Sequence, residues 1–537
     1  MRPKEEKTVE FRLPVELLRV IFEEYLRLDL PVQVLLEVNR QWRMVALETQ
    51  SLWRRLLLSA DAIPGSLRAG SVHACASEEQ ASIILKRSGA FTKLEVTFVL
   101  GPKESDTPTP ESRAKLFKTV GRTALHRISF LCVIVNPEMK LQLVVASLKG
   151  VFEGDLPCLE SLMIASAQAI GNLYEPLEAL MDIIEKSSKR LKSLYLENVN
   201  KDFILQASEK EFWTRLIRIT IRNEFDSLDA RMFSLPRGLE FFSFSGELIA
   251  TPPPATAHLD SALRKPIDFP ELKWLRVSLI SMGTLARLDL PQLHTMAIDC
   301  VQGAYPSPAP ALGALRLPAL KVLQIATVNP TIACIHAPIL DTLCLSIPAL
   351  KQADADHVLK SVFYGGENMM RPKHLTLRGP VHDKHLITAL RLQGDKLVSL
   401  ELDSQMPFSK TFWMEMTPNA TRRSFKAMAS SIAATVTAAT GMGNAGAGAP
   451  AAPGGRKYKP LLLPNLRCLV VDVHKSPMAQ GEGREMRVLL QKLIEGRRGN
   501  DQFHNLLRVA CKWREGPGVE EMIDPPACLS CADRAKG

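Results

Sequence analysis

The chain has 537 residues, of which 46% are hydrophobic and 23% are charged, the composition of an ordinary folded, soluble protein. This length exceeds what one compact core holds, so it predicts either two to three domains or a repeat array. The net charge of +10 comes from 67 basic and 57 acidic residues scattered along the chain, which argues against binding of nucleic acid or of a membrane surface.

The first residues and the cysteines indicate a compartment. The opening MRPKEEKTVE lacks the apolar segment of a secretory signal, and no run of about 18 apolar residues occurs in the chain. Several of the ten cysteines lie within apolar stretches, as Cys132, Cys344 and Cys468 do, which favours reduced, buried thiols over a disulfide framework. We therefore expect a cytoplasmic and/or nuclear protein without a membrane span.

Residues 13–58 carry large apolar side chains at helical spacing. The first stripe, entered through Pro14, consists of Leu17, Leu18, Ile21, Phe22 and Tyr25. The second follows the helix breaker Pro31 and consists of Leu35, Val38, Trp42 and Val45. A third short segment, Ser51–Leu58, is centred on Leu52 and Trp53. Three short helices cannot bury all these side chains among themselves, so the surplus must face another domain or another protein.

These residues resemble an F-box, the module that docks on the Skp-type adaptor of cullin–RING ubiquitin ligases. The matching residues are Leu13-Pro14, Glu16-Leu17-Leu18, Ile21, the run Val38–Arg43 and the run Leu52–Leu56. Two features depart from the family pattern: Asn39 stands where Ser is usual, and Phe22–Tyr25 is bulkier than common. The alternative is a generic three-helix bundle that opens a larger domain.

The resemblance implies an F-box over residues 8–60 and two partners, an Skp-type adaptor and, through it, a cullin. Eight residues are then divided between the adaptor contact and the module's own core. They are Leu13, Pro14, Leu17, Leu18, Ile21, Val38, Trp42 and Trp53.

A six-residue pattern, apolar-x-x-apolar-x-apolar, recurs along the rest of the chain. The clear copies are Leu159-Leu162-Ile164, Leu191-Leu194-Leu196, Leu216-Ile219-Ile221, Leu239-Phe242-Phe244, Leu272-Leu275-Val277, Leu293-Met296-Ile298, Leu320-Leu323-Ile325, Leu340-Leu343-Leu345, Leu397-Leu400-Leu402 and Leu466-Leu469-Val471. Weaker copies are Phe91-Leu94-Val96, Leu125-Ile128-Phe130 and Leu375-Leu377. Each copy predicts one short strand whose apolar side is covered by its neighbours.

The pattern resembles leucine-rich repeats of irregular length, and with the F-box it is similar to ligase substrate receptors of fungal type. The resemblance implies an α/β fold, with an irregular solenoid over residues 85–513 that has parallel strands on its concave face and helices and loops on its convex face. The apolar faces at Leu173–Ile184 and Met486–Leu493 predict helical return segments.

Several segments are predicted to be loops. Residues 404–460 form an insertion, within which Ala427–Pro453 is rich in Ala, Gly, Ser and Thr and cannot bury enough surface to offset its chain entropy. Shorter loops are expected at Thr251–Pro254 and Pro306–Pro310, and the tail 514–537 is expected to be flexible.

Three motifs that suggest chemistry are weak. Gly441–Gly446 fits G-x-G-x-x-G, but Ala- and Pro-rich sequence follows it instead of a helix with an acidic residue. Cys528-x-x-Cys531 is half of a zinc site, and His382-x-x-His385 has no third ligand. We therefore expect no catalytic residue, metal or cofactor, and predict that the protein is not an enzyme.

In each strand, the residue between the last two apolar positions should point to the outer face of the sheet. These residues are Tyr195, Thr220, Ser243, Arg276, Ala297, Gln324, Thr376 and Glu401. They form neither an aromatic ladder nor a basic stripe, so a protein target is favoured over nucleic acid. The candidates for target binding are Tyr195, Trp274, Arg276, Gln324 and Glu401, although Trp274 fits a packing role against a return segment equally well.

The sequence therefore predicts a substrate-recognition adaptor of a cullin–RING ligase, with the F-box on the adaptor subunit and the repeats on an unknown target protein. Two alternatives stay open: an F-box scaffold without ubiquitin transfer, and a non-ligase leucine-rich-repeat interaction scaffold whose first helices only cap the stack. An enzyme is the most distant alternative.

Overall fold

The computed structural model describes the parts of the chain that build its strands and most of its helices. They are residues 13–28, 30–59, 73–75, 77–100, 116, 119–121, 123–135, 156–166, 185, 189–199, 201–223, 227–250, 266–302, 315–326, 335–347, 357–360, 362–363, 370–379, 383–393, 396–404, 412, 466, 468–473 and 508–513. The predicted loops at Thr251–Pro254 and Pro306–Pro310, the helical segments Leu173–Ile184 and Met486–Leu493, the stretch Ala427–Pro453, the tail 514–537, and the motifs Gly441–Gly446 and Cys528-x-x-Cys531 lie outside these residues, as does His382.

The chain begins with helices α1 (Val15–Arg27), α2 (Val32–Val38) and α3 (Arg40–Glu48), followed by a 3₁₀ helix at Gln50–Trp53. Pro14 and Pro31 stand directly before α1 and α2, where a fixed φ and a missing N–H are tolerated. The second apolar stripe was predicted as one helix, and this is wrong. Asn39 is extended, with φ −163° and ψ 178°, and its side chain accepts a hydrogen bond from the Trp42 N–H, so it ends α2 and caps α3.

The third predicted helical segment is only partly helical. After Trp53 the chain becomes strand β1 (Arg55–Ser59), which pairs in parallel with β2 (His73–Cys75) and β3 (Leu94–Leu100). The predicted end of the amino-terminal module, at residue 60, therefore falls directly after a strand of the sheet. Parallel strands begin before residue 85, where the repeats were expected to start.

The chain divides into two units, Met1–Thr251 with Phe269–Leu272 and Pro252–Asp268 with Lys273–Gly537. In the first unit the described strands lie in the order β2, β1, β3, β4, β5, β6, β7, β9. The short strand β8 pairs with the last residues of β9, and every one of these pairs is parallel. Besides β1 to β3 they are β4 (Ile128–Val135), β5 (Ser161–Ser166), β6 (Ser193–Glu197), β7 (Arg218–Arg222), β8 (Ser227–Asp229) and β9 (Phe241–Ile249).

The second unit has the same kind of parallel sheet. Its strands, in order, are β11 (Trp274–Ser281), β13 (Thr295–Gln302), β15 (Val322–Ala326), β17 (Thr342–Ser346), β18 (His374–Arg378), β19 (Ser399–Ser404), β20 (Cys468–Val473) and β21 (Arg508–Trp513). Short parallel pairs join β10 (Ile267–Asp268) to β12 (Leu288–Asp289) and β14 (Leu315–Arg316) to β16 (Ile335–His336). The α/β class with parallel strands is confirmed.

The register aligns the repeated apolar positions into buried rows. In the first unit one row runs through Leu131, Leu162, Leu194, Ile219 and Phe242, and the next through Val133, Ile164, Leu196, Ile221 and Phe244. In the second unit the rows begin at Leu275 and Val277 and continue through the equivalent residues up to β19. These rows form the core because each side chain is covered by its neighbours on the adjacent strands.

Two of the weaker predicted copies are out of register. In β4 the residues that continue the two buried rows are Leu131 and Val133, whereas the predicted Phe130 lies on the opposite face of the sheet. In β3 the row positions are Val96 and Phe98, and the predicted Phe91 lies in a turn with its side chain 97% exposed. A register shift between Leu94 and Glu95 separates these two strands from the regular pattern.

Helices and 3₁₀ turns connect many of the strands. The helices are α4 (Glu78–Arg87), α5 (Lys201–Glu209), the single turn α6 (Met282–Leu285) and α7 (Asp383–Gln393). The 3₁₀ turns are Leu125–Arg127, Glu211–Arg215 and Ala230–Ser234. Each of the longer helices buries one apolar face, for example Ala81, Ile84 and Leu85 of α4. The sheet is therefore covered on its apolar side.

The chain leaves some strands through a left-handed residue. Asn198 after β6 has φ 54°, and Gly379 after β18 has φ 119°. The two residues occupy equivalent positions, because each donates its backbone N–H to the last outward residue of the next strand, Arg222 or Asp403. Asn and Gly are the residues that tolerate this backbone conformation.

Candidate protein-interaction surfaces

Helix α1 has two apolar faces, and among the described residues only one of them is buried. Leu18, Phe22 and Leu26 recur every four residues and are buried. The adjacent face carries Leu17, which is 51% exposed, with Val20 and Ile21. Leu13 before the helix and Leu28 after it are also exposed. A helix that is apolar over so wide an arc needs a cover on both sides.

Helices α2 and α3 repeat this division. In α2, Val32 and Leu35 are buried, whereas Val34 and Val38 are about half exposed. Met44 of α3 is also exposed. Of the described residues that are large, apolar and exposed, the majority lie between Leu13 and Met44. We call these residues the amino-terminal apolar surface; its members are Leu13, Leu17, Val20, Ile21, Leu28, Leu30, Val34, Val38 and Met44.

The residues predicted for the adaptor contact separate into three groups by exposure. Leu18 and Trp53 are fully buried and belong to the core of the first unit. Trp42 is half-buried, with its ring in edge contact with Phe22 at 5.4 Å. Exposed positions are occupied by Leu13, Pro14, Leu17, Ile21 and Val38. Sequence reasoning missed Val20, Leu28, Leu30, Val34 and Met44; for Val20, the spacing of three from Leu17 was an available signal.

Specific polar contacts fix the three helices to each other. The Gln41 amide donates a hydrogen bond to the Leu13 carbonyl oxygen at 2.8 Å, and this joins the start of α1 to α3. The Tyr25 hydroxyl donates to the Pro31 carbonyl oxygen at 3.1 Å, and this fixes the connection between α1 and α2. The exposed apolar side chains are therefore presented by a defined scaffold.

A stack of three side chains joins these helices to the first strands. The Trp53 ring lies parallel to the His73 ring at 4.5 Å, and the Arg87 guanidinium stands 4.6 Å from the centre of the Trp53 ring. Trp53 donates from Nε1 to the Ala46 carbonyl oxygen of α3, and His73 Nε2 lies 2.8 Å from the Leu52 carbonyl oxygen. Burial lowers the pKa of His73, and the nearby charge of Arg87 lowers it further.

The outer face of the first unit's sheet has a central row of mixed chemistry. In register across β3 to β9 it runs through Thr97, Cys132, Met163, Tyr195, Thr220 and Ser243. The Tyr195 hydroxyl donates to Glu197 at 2.9 Å, and the Arg222 guanidinium stands 5.4 Å from the ring centre. Burial, with the hydrogen bond to Glu197, raises the pKa of Tyr195 to about 12. Burial also raises the pKa of Cys132 to about 12, so its thiol is a poor nucleophile at neutral pH.

The equivalent row of the second unit runs through Arg276, Ala297, Gln324, Cys344, Thr376 and Glu401. Arg276 pairs with Asp299 at 3.5 Å, and the Thr376 hydroxyl donates to Glu401 at 3.2 Å. Arg276 and Gln324 are exposed, and Glu401 and Trp274 are half-buried. The predicted outward residue Ala297 has little exposed area, since in the row its methyl group lies between the longer side chains of Arg276 and Gln324.

The structure brings three of the five predicted target-binding residues into one row: Arg276, Gln324 and Glu401. Trp274 lies two residues before Arg276 on β11, and Tyr195 belongs to the other unit. On this face, charged side chains of opposite sign lie next to each other, as in the contacts of Arg276 with Asp299 and of Arg378 with Asp403. Such a face matches a mixed polar protein surface better than a polyanion.

Among the described residues, no three His, Cys, Asp or Glu side chains converge to hold a metal ion. None of the helices described combines the length and the hydropathy that crossing a bilayer requires. In comparisons with known proteins, neither a protein-family model nor a curated protein sequence matches the chain.

Proposed function

We propose that this protein is a substrate-recognition adaptor of a cullin–RING ubiquitin ligase. The helices α1 to α3 form an F-box that docks on an Skp-type adaptor and, through it, a cullin. The parallel strands of each unit form leucine-rich-repeat solenoid segments whose outer rows bind a target protein. The observation that carries this proposal is the amino-terminal apolar surface, because these neighbouring side chains are exposed together in the part of the chain that the structure describes.

The chain would perform no bond chemistry in this role. Binding the adaptor at one end and a target along the sheet raises the effective concentration of target lysines near a charged ubiquitin-conjugating enzyme. The outer rows support this function because they offer a few anchors, such as Arg276 and Tyr195, within a surface of hydroxyls and paired charges.

A double substitution in α1 tests the docking function. Leu17→Asp with Ile21→Asp places two charges on the exposed face and leaves the buried Leu18, Phe22 and Leu26 untouched. We expect capture of a purified Skp-type adaptor by the full chain to fall at least about 100-fold, because two charges must be desolvated in an apolar contact. Circular dichroism and the melting temperature should stay close to those of the wild type.

Matched controls use the same chemistry at exposed apolar residues elsewhere. Ile83→Asp on α4 and Leu205→Asp on α5 should leave adaptor capture unchanged. Trp42 is a poor test position, since its ring packs on Phe22 and its loss would perturb the scaffold. Adaptor capture that survives the α1 double substitution would show that the docking assignment is wrong.

One observation favours a second function, a leucine-rich-repeat interaction scaffold outside any ligase. The stack of Arg87, Trp53 and His73 holds the helices against the first strands, as the cap of a repeat array would require. Under this alternative the wild-type chain does not capture the adaptor. If the wild-type chain does capture the adaptor, a reconstituted ligase assay distinguishes the two remaining roles. A substrate receptor supports ubiquitination of its bound target, whereas an adaptor-bound scaffold does not.

A further inference from the structure

The turn between α4 and β3, residues 88–93, presents a phenylalanine to solvent. The Phe91 side chain is 97% exposed, more than any other large apolar side chain among the described residues. An exposed Phe ring gains free energy when a partner buries it, and aromatic side chains are enriched in the cores of protein interfaces. The position was predicted to be the first core residue of a repeat, so its exposure has no explanation in the repeat pattern.

The turn is held by hydrogen bonds at both ends. The Ser88 N–H donates to Ile84 and its hydroxyl to Leu85, which closes the end of α4. The buried Arg127 guanidinium donates to the Ser88 hydroxyl at 2.6 Å and to the Thr92 carbonyl oxygen at 3.0 Å. Arg127 therefore clamps both sides of the turn, and Phe91 stands between the clamped residues. An anchor on a fixed turn loses little entropy on binding.

The turn lies directly against the 3₁₀ helix that follows α3. The Thr92 hydroxyl donates to the Gln50 side chain at 3.3 Å. Gly89, with φ 72°, approaches the same Gln50 side chain so closely that a Cβ at this position would clash with it. Gln50 opens the 3₁₀ helix that contacts both α1 and α4. The turn and α1 therefore both contact this one short helix.

We propose that Phe91 is a second anchor for the same apolar subunit that covers the amino-terminal apolar surface, so that the docking surface extends beyond α1 to α3 onto the α4–β3 turn. This inference rests on the proposed adaptor docking and adds a residue outside the F-box to it. The occupant is the Skp-type adaptor, because the ring offers only apolar contact, as the amino-terminal apolar surface does, and its turn contacts the 3₁₀ helix on which α1 packs.

Calorimetric titration of the full chain with a purified Skp-type adaptor tests the extension. Phe91→Ala should weaken binding about tenfold, the loss typical of an interface anchor. Ile83→Ala is the matched control, since Ile83 lies on the preceding helix α4 and is 49% exposed; it should bind within about twofold of the wild type. Melting temperatures should be equal for all three proteins, because neither side chain is buried.

Three other outcomes of these experiments would overturn the proposal, and each leads to a different conclusion. Wild-type affinity in Phe91→Ala, together with loss of binding in the Leu17→Asp, Ile21→Asp protein, would overturn the extension and leave the docking function intact. No binding by the wild type would overturn both. Sedimentation that shows a wild-type dimer and a Phe91→Ala monomer, with unchanged adaptor affinity, would replace the adaptor by a second copy of the chain and also overturn the proposal.

Discussion

The strands of the first unit and the helices that precede them differ in how far they bury their apolar side chains. Every residue of the two inward strand rows, from Leu131 to Phe244, is buried by its neighbours within the chain. The helices α1 to α3 bury one face and leave Leu17, Ile21 and Val38 exposed. A stack of parallel strands completes its own core, whereas three short helices complete theirs only when another surface covers them.

The largest expected effect is on the free energy of unfolding, which should differ between a substitution in a strand row and one on α1. Phe242 is fully buried in the strand row, and its ring lies 4.3 Å from that of Phe233. Phe242→Ala should lower the free energy of unfolding by about 3–5 kcal/mol, because it removes buried surface and leaves a cavity. Leu17→Ala should change it by less than about 0.5 kcal/mol. Urea denaturation measures both; a similar loss in the two variants would mean that Leu17 is covered within the chain.

A smaller effect is expected at the end of a strand. Gly379 has φ 119°, and a Cβ there would clash with the Ile347 carbonyl oxygen. Gly379→Ala should therefore cost about 2 kcal/mol or more of unfolding free energy. Gly238 has no atom near the position of a Cβ, so Gly238→Ala should be neutral or slightly stabilising. Thermal denaturation of the two variants tests this prediction, and equal melting temperatures would contradict the tight turn after β18.

The smallest effect concerns the joint between helices and strands, and it depends on pH. His73 is buried, and its pKa lies below the ordinary 6.5, chiefly because burial disfavours the charged ring. The hydrogen bond with the Leu52 carbonyl oxygen opposes this shift, and the charge of the nearby Arg87 adds to it. Folding therefore favours neutral His73, so the stability that it contributes is present above pH 6.5 and is lost as the pH falls below that value. For a single titrating group this loss is at most about 1.4 kcal/mol per pH unit.

Denaturation of the wild type and of His73→Gln between pH 7.5 and about 5 isolates this contribution. The wild type should lose more stability than the variant over that interval, whatever their difference at neutral pH. Parallel pH profiles would show that His73 is not held neutral against Trp53.

The positions of most strands were predictable from the sequence, because the pattern of Leu162 and Ile164 repeats wherever a strand fills the two inward rows. The first strand was not, since Leu56, Leu57 and Leu58 form a continuous apolar run that does not distinguish a strand from a helix. The register of β3 and β4 was misassigned because a shift between Leu94 and Glu95 breaks the pattern there.

The candidate surfaces were predictable only in part. The surplus of apolar residues in the amino-terminal helices follows from composition, but which residue faces outward depends on the break at Asn39 and on packing against Trp53. Leu17 and Leu18 have the same side chain, and only their directions on α1 separate an exposed residue from a buried one. The exposure of Phe91 was not predicted, because its turn is held by Arg127, which is distant in the sequence.

Footprinting of side chains by carbene labelling, in the free chain and with a saturating Skp-type adaptor, tests the central claim most directly. Leu17, Ile21 and Val38 should be labelled strongly in the free chain and protected in the complex, while Leu205 on α5 keeps the same labelling in both. Equal labelling of the three residues with and without the adaptor, or weak labelling already in the free chain, would contradict the claim that these side chains await a partner.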